Sequence, residues 1–234
     1  MGCVCPNNFN DKYAIENIIN NEYENNIIKI NSNLKITNYV KKVFYLINKI
    51  RTDPAKFADF VISSQKYVKE IEDRIIFDHK IKVALNEGKK MFLECADYLR
   101  KLSPMEELIF SDDIVLECPT ELNNIKDINY FKDKVIEKKE NQNIEAYFKD
   151  SISEPEISVL LMIVDDSSKN PKKKREAVLN PKFKYIGISA TDDLSESKNK
   201  ESNKDIANNN NENNNNDENI NLKKFPFCAY FSFK

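Results

Sequence analysis

The sequence predicts an α+β domain, on three observations. Apolar residues recur at spacings of three and four over residues 39–50 and about 83–100, the period of a helix with one buried face. Two apolar segments of strand length, 183–191 and 225–233, lie near the C-terminal end. Between them, 12 of the 23 residues from 199 to 221 are Asn, too few apolar groups to offset the entropy of ordering. Residues 194–224 are therefore expected to form a disordered loop inserted between the last two strands. Such an insertion is tolerated because closure entropy grows slowly with loop length.

Each element has a local reason. Tyr39, Val40, Val43, Phe44, Ile47 and Ile50 fall on one face of a first helix. Asp53 suits an N-cap and Pro54 a first helical position, so Arg51-Thr52-Asp53-Pro54 should close that helix and open a second carrying Phe57, Phe60 and Val61 toward Tyr67. A third helix over about 83–100 would present Leu85, Gly88, Phe92, Cys95 and Leu99, with Gly88 at a close contact. Ser103-Pro104-Met105-Glu106 and Ser153-Glu154-Pro155-Glu156 both have the spacing of a capping box and predict two more helix starts. The second leads into an all-round apolar run, 157–164, which reads as a buried helix. Residues 1–36 show no sustained period and read as an arm; 37–234 read as the domain.

Composition narrows the function. The 234 residues carry 36 Lys plus Arg against 38 Asp plus Glu, a net charge of -2, which argues against a nucleic-acid binder with its basic footprint. The first residues lack the basic and apolar regions of a secretory leader, and no run of 18 apolar residues occurs, so a cytosolic chain is expected. Cys3, Cys5, Cys95, Cys118 and Cys228 should then be thiols. A single histidine, His79, leaves no zinc ligand set, and glycines only at 2, 88 and 187 leave no phosphate-binding loop. Asp165-Asp166 are expected to cap or brace, because side chains one apart on a helix do not face each other. No cofactor is expected.

The amino terminus carries the sharpest local motif. Gly2 after Met1 is the acceptor for N-myristoylation, and Cys3 and Cys5 stand where S-palmitoylation follows. The segment Met1-Gly2-Cys3-Val4-Cys5 resembles the dual-acylated start of Src-type tyrosine kinases, with Pro6 where Ser or Thr is usual. One myristoyl chain binds membranes only marginally, so palmitate is the expected second anchor. Lys172, Lys173, Lys174 and Arg175 have the composition of a nuclear-import signal, but contact with anionic lipid head groups is the more economical use on an anchored domain.

The body of the chain resembles the CAP superfamily (cysteine-rich secretory proteins, antigen 5 and pathogenesis-related 1). The resemblance rests on Asn48, Arg51, Pro54, Phe57 and Ala58 in an N-x-x-R-x-x-P-x-x-F-A pattern. It continues through Glu87-Gly88, Ala96 to Leu99, Leu108 to Ile114, Ile163-Val164-Asp165-Asp166 and Val178-Leu179-Asn180-Pro181 to Ile188, in family order over about 38–234. It implies an α-β-α sandwich whose final hairpin is the strand pair above, and a cavity that in relatives holds two histidines and acidic residues. Here one histidine position is Lys174, and the other, expected a few residues after Ile114, is absent. A lysine ammonium offers a metal no lone pair. The resemblance therefore implies a non-catalytic, metal-free module that works through a membrane-associated protein or a lipid or sterol. The alternatives are a CAP-type hydrolase or protease and a structural component of a membrane skeleton.

Overall fold

The fold follows from a computed structural model, which describes residues 30, 32–34, 36–116, 118, 139–166, 172–191 and 227–234. Gly2, Cys3, Cys5 and the Asn-rich segment 194–224 lie outside the described residues. The architecture is mixed helix and sheet, as the sequence predicts.

Helix α1 spans Asn38–Thr52, and the Thr37 hydroxyl caps it by accepting from the Val40 amide at 3.3 Å. The six predicted apolar residues are buried, but so are Tyr45, Leu46, Asn48 and Arg51, so the helix is enclosed on more than one face. The junction with α2, Pro54–Ser64, is built as expected: the Asp53 carboxylate accepts from the Lys56 amide at 3.2 Å, and Pro54 takes the first turn, where its missing N–H costs nothing. A short 3-10 turn, Gln65–Tyr67, then delivers the chain to an antiparallel meander. Its strands are β1 Val68–Ile71, β2 Arg74–His79 and β3 Ile81–Leu85, in spatial order β1-β2-β3.

The meander corrects the third helix. Residues 83–85 belong to β3, where Ile81, Val83 and Leu85 are half-buried and Lys82 and Ala84 exposed, an alternation of two rather than 3.6. Helix α3 begins only at Lys89 and runs to Lys101, burying Met91, Phe92, Cys95, Ala96 and Leu99 against α2. Gly88 sits at its N-cap with φ 58° and ψ -127°, a conformation open in practice to glycine. A Cβ there would also meet the Ile75 side chain at 2.6 Å, so the close contact expected at Gly88 exists, at a helix entry rather than inside a helix.

The first capping box is a decoy. Residues 102–108 form no helix, because α1 offers better partners: the Met105 amide donates to the Arg51 carbonyl at 2.7 Å. Asn48 pairs with Leu108 in both directions, at 2.8 and 3.1 Å. The second box places a helix, α4 Pro155–Val164, but Ser153 does not cap it; Glu154 is at the N-cap, and Pro155 starts the helix. Helix α4 is buried nearly all round, as its apolar run predicts, and packs against α1 and α3. A six-residue helix, α5 Lys173–Val178, follows.

The second sheet has four strands in the order β4-β6-β7-β5, with β4 Ile109–Phe110, β5 Ala146–Asp150, β6 Tyr185–Ala190 and β7 Ala229–Phe233. Strands β6 and β7, predicted from the segments flanking the Asn-rich stretch, are antiparallel neighbours with Ile186 opposite Phe233 and Ile188 opposite Phe231. These four residues point into the main core, where α1 packs on β6. Gly187, Ser189, Tyr230 and Ser232 alternate to the opposite face, which Ile114–Leu116 crosses. Ser232 and Ser189 donate to the Ile114 and Leu116 carbonyls and fix that crossing.

The end of the arm is docked. Ser32 and the Asn33 amide both donate to the Asp112 carboxylate, and Ile30 packs on the core, so these three residues contact the domain.

Candidate functional site

A cavity of about 540 Å³ opens between β3, the segment after β5, and the C-terminal end of α4. Its apolar wall comes from Ile81, Val83, Leu85 and Leu161, and its polar side from Asp150, Asp165, Asp166 and Lys174. Lys174 is among the residues lining this cavity. Its ammonium meets Asp150 Oδ1 at 3.3 Å and lies 5.6 Å from the Phe148 ring centroid.

Behind that pair the polar groups form a chain into the core. Ser158 Oγ donates to Asp150 Oδ2 at 2.6 Å, and Tyr39 Oη donates to Ser158 Oγ at 2.9 Å. Burial, with Asp150 nearby, pushes the Tyr39 phenol well above its ordinary range, so it is a permanent donor. Ser158 is fully buried and donates its hydrogen bond to a carboxylate, which leaves it no route to a substrate carbonyl. This chain was not found in the sequence. Its one signal was a serine inside an otherwise apolar helix, since buried polar groups require partners.

The paired acids brace, as expected, and they brace in different directions. Asp165 closes α4 in the left-handed conformation (φ 49°), and its Oδ2 accepts from the amides of Lys174 at 2.7 Å and Arg175 at 3.3 Å, at the start of α5. Asp166 reaches back to the loop before α3, where its carboxylate accepts from the consecutive amides of Asn86, Glu87 and Gly88 at 2.8–3.1 Å. Both carboxylates thereby satisfy orphan donors at helix entries. Asp166→Ala should cost about 2 kcal/mol of folding stability, with Asp166→Asn intermediate because its one oxygen still accepts. Urea denaturation measures both; an Asp166→Ala protein as stable as wild type would mean that water serves these amides equally well.

The basic run is not a uniform surface patch, and this corrects the expectation of four lipid-facing cations. Arg175 is 3% exposed. Its guanidinium turns inward, donating from Nε to the Ile163 carbonyl and from Nη2 to the Val164 carbonyl, each at 2.6 Å. Those are carbonyls of the last turn of α4, which have no partner within the helix, so Arg175 caps that end. Nη1 and Lys172 Nζ share Glu94 at 3.3 and 2.8 Å, and these contacts, the Lys172 hydrogen bond first, hold the Glu94 carboxyl below its usual range. Lys174 faces Asp150, Lys173 is exposed, and the Lys172 side chain is half-exposed beside Glu94.

His79 is on β2, stacked on Tyr67 with ring centroids 4.0 Å apart, and lines a smaller cavity with Phe77 and Glu156. It is not among the residues lining the cavity that holds Lys174. Among the described residues there is no group of three or more His, Cys, Asp or Glu side chains placed to hold a metal, and no helix long and apolar enough to cross a membrane. Compared with known proteins, the chain matches no family model, no curated protein and no solved structure.

Proposed function

We propose that this chain is a non-catalytic, CAP-like module held at the cytosolic face of a membrane by acyl groups on Gly2, Cys3 and Cys5. There it would engage a membrane-associated protein or a lipid or sterol. The observation that carries the non-catalytic reading is that every acid lining the cavity is already engaged. Asp165 holds two backbone amides, Asp166 holds three, and Asp150 is divided between Ser158 and Lys174. Freeing any of them for metal binding or proton transfer would break these hydrogen bonds, including the one from fully buried Ser158.

The CAP-like architecture is supported by what the quoted motif residues do. Asn48 of the first helix holds the backbone of Leu108, and Arg51 that of Val178, Asn180 and Phe183, residues of two segments on which the resemblance rests. The tether is supported by the amino-terminal motif, since one acyl chain plus a second gives stable anchoring where one alone does not. A lipid or sterol would lie along Ile81, Val83 and Leu85, with the Lys174–Asp150 pair at the polar end of the cavity.

Metal binding tests the reading. Equilibrium dialysis of the purified chain against zinc or copper should leave less than about a tenth of an equivalent bound, as expected where an ammonium occupies the ligand position. One tightly held equivalent that Lys174→Ala leaves unchanged would favour the hydrolase instead.

A further inference from the structure

Two cysteines from distant parts of the sequence meet beside the second sheet. Cys118 Sγ lies 3.7 Å from Cys228 Sγ and 3.2 Å from the Cys228 carbonyl. Both are held by their neighbours. Cys228 exchanges two hydrogen bonds with Thr191, carbonyl to amide at 2.9 Å and amide to hydroxyl at 3.2 Å, at the head of the β6–β7 pair. Cys118 lies against Ser189, whose hydroxyl approaches Cys118 Sγ at 3.3 Å and also binds the Leu116 carbonyl. The third described cysteine, Cys95, is elsewhere in the core, its thiol pushed up to about 12 by burial and donating to the Ile163 carbonyl.

We propose that Cys118 and Cys228 are a reversible disulfide site that closes under peroxide and fastens Cys118 to the head of the β6–β7 pair. The two sulfurs need to approach by less than 2 Å to reach the roughly 2.05 Å of a disulfide. The pair is also polarised. The Cys118 hydrogen bond, with the Lys149 ammonium nearby, draws the Cys228 thiol below its ordinary range despite burial, while the same bond keeps the proton on Cys118.

The chemistry balances with hydrogen peroxide as the oxidant. The Cys228 thiolate attacks one peroxide oxygen, the O–O bond breaks, and hydroxide leaves, giving a sulfenic acid on Cys228. Cys118 sulfur then attacks the Cys228 sulfur; the S–O bond breaks, and the departing hydroxide takes the Cys118 proton as water. Two thiol electron equivalents reduce one peroxide. Two glutathione thiols reverse the step by exchange, leaving both cysteines reduced and glutathione oxidised. In the cytosol the site would rest as dithiol and close only when peroxide rises, which distinguishes it from a permanent structural bridge.

The test uses the full chain, reduced, desalted and exposed to a small excess of hydrogen peroxide, then alkylated in denaturant and mapped by mass spectrometry. The expected result is loss of two alkylatable thiols, a cross-linked peptide joining Cys118 to Cys228, and full reversal by glutathione. Because the closed loop spans over a hundred residues, Tm should rise by about 5 °C or more on oxidation. That rise should vanish in Cys228→Ser and persist in Cys3→Ser/Cys5→Ser. Cross-links confined to Cys3 or Cys5, or both thiols left alkylatable at peroxide levels that oxidise a low-pKa thiol, would overturn the proposal, and either result is read on wild type without relying on a variant's folding.

Discussion

Arg51→Ala should lose on the order of 4 kcal/mol of folding stability, a large share of the 5–15 kcal/mol typical of a domain. Arg51 is 1% exposed, and its guanidinium donates to four carbonyls: Glu106 from Nε at 2.9 Å, Val178 and Asn180 from Nη1 at 2.8 and 3.0 Å, and Phe183 from Nη2 at 3.2 Å. These belong to segments more than 70 residues apart, which the fork ties to the end of α1. Truncation would leave four acceptors facing a void, and each unsatisfied buried group costs roughly 1–3 kcal/mol before relaxation. Burial lowers the Arg51 pKa, yet a guanidinium keeps its proton at any pH the fold survives. Arg51→Lys should recover little, because a point charge cannot span four carbonyls. If urea denaturation found Arg51→Lys close to wild type, charge rather than the fork would be what the site requires.

Gly187 predicts the second large effect. A Cβ on this β6 residue would stand 2.7 Å from the Ile114 carbonyl carbon and oxygen and 2.7 Å from Ser232 Oγ. Backbone on one side and a buried hydroxyl on the other leave no flexible side chain to yield. Gly187→Ala should therefore destabilise by about 2–3 kcal/mol and Gly187→Val by more, the range for overpacking. The strain falls on the Ile114–Leu116 crossing, so hydrogen exchange in 112–116 should rise before exchange in α1. An unchanged Gly187→Ala midpoint would mean that this crossing is free to move away from the sheet.

What the sequence made legible is what short-range chemistry decides. Asp53-Pro54 marks the α1–α2 junction by capping and by proline's missing amide, and 157–164 is apolar enough to be buried whatever packs on it. The β6–β7 pair was readable because the Asn-rich stretch isolates two strand-length apolar runs. The meander was not, since only Val68 and Phe77 of β1 and β2 are fully buried and a mostly exposed ribbon has weak patterning. Residues 83–85 fit either period until Asp166, 80 residues on in sequence, takes the amides that precede α3. The box at 103–106 failed for the same long-range reason, its backbone being claimed by Arg51, which accepts from the Met105 amide and donates to the Glu106 carbonyl.

The candidate site divides along the same line. That Asp165 and Asp166 brace rather than act as a pair follows from adjacent side chains pointing apart, whereas the amides Asp166 holds lie about 80 residues away and no local signal names them. Arg175 looked like one of four surface cations because nothing in Lys172 to Arg175 distinguishes it; its burial is set by the carbonyl end of α4. Tyr39, Ser158 and Asp150 come from three separate elements, and no spacing in the chain connects them.

The central claim is that this module acts at a membrane through its amino terminus, and fractionation tests it most directly. Wild type, Gly2→Ala and Cys3→Ser/Cys5→Ser would be expressed in cells and separated into soluble and membrane fractions, with carbonate and detergent washes of each pellet. The account predicts that wild type pellets, resists carbonate and dissolves in detergent, while Gly2→Ala becomes soluble and the double cysteine variant binds only weakly, as one remaining acyl chain dictates. Wild type found in the soluble fraction, or all three proteins pelleting alike, would contradict it.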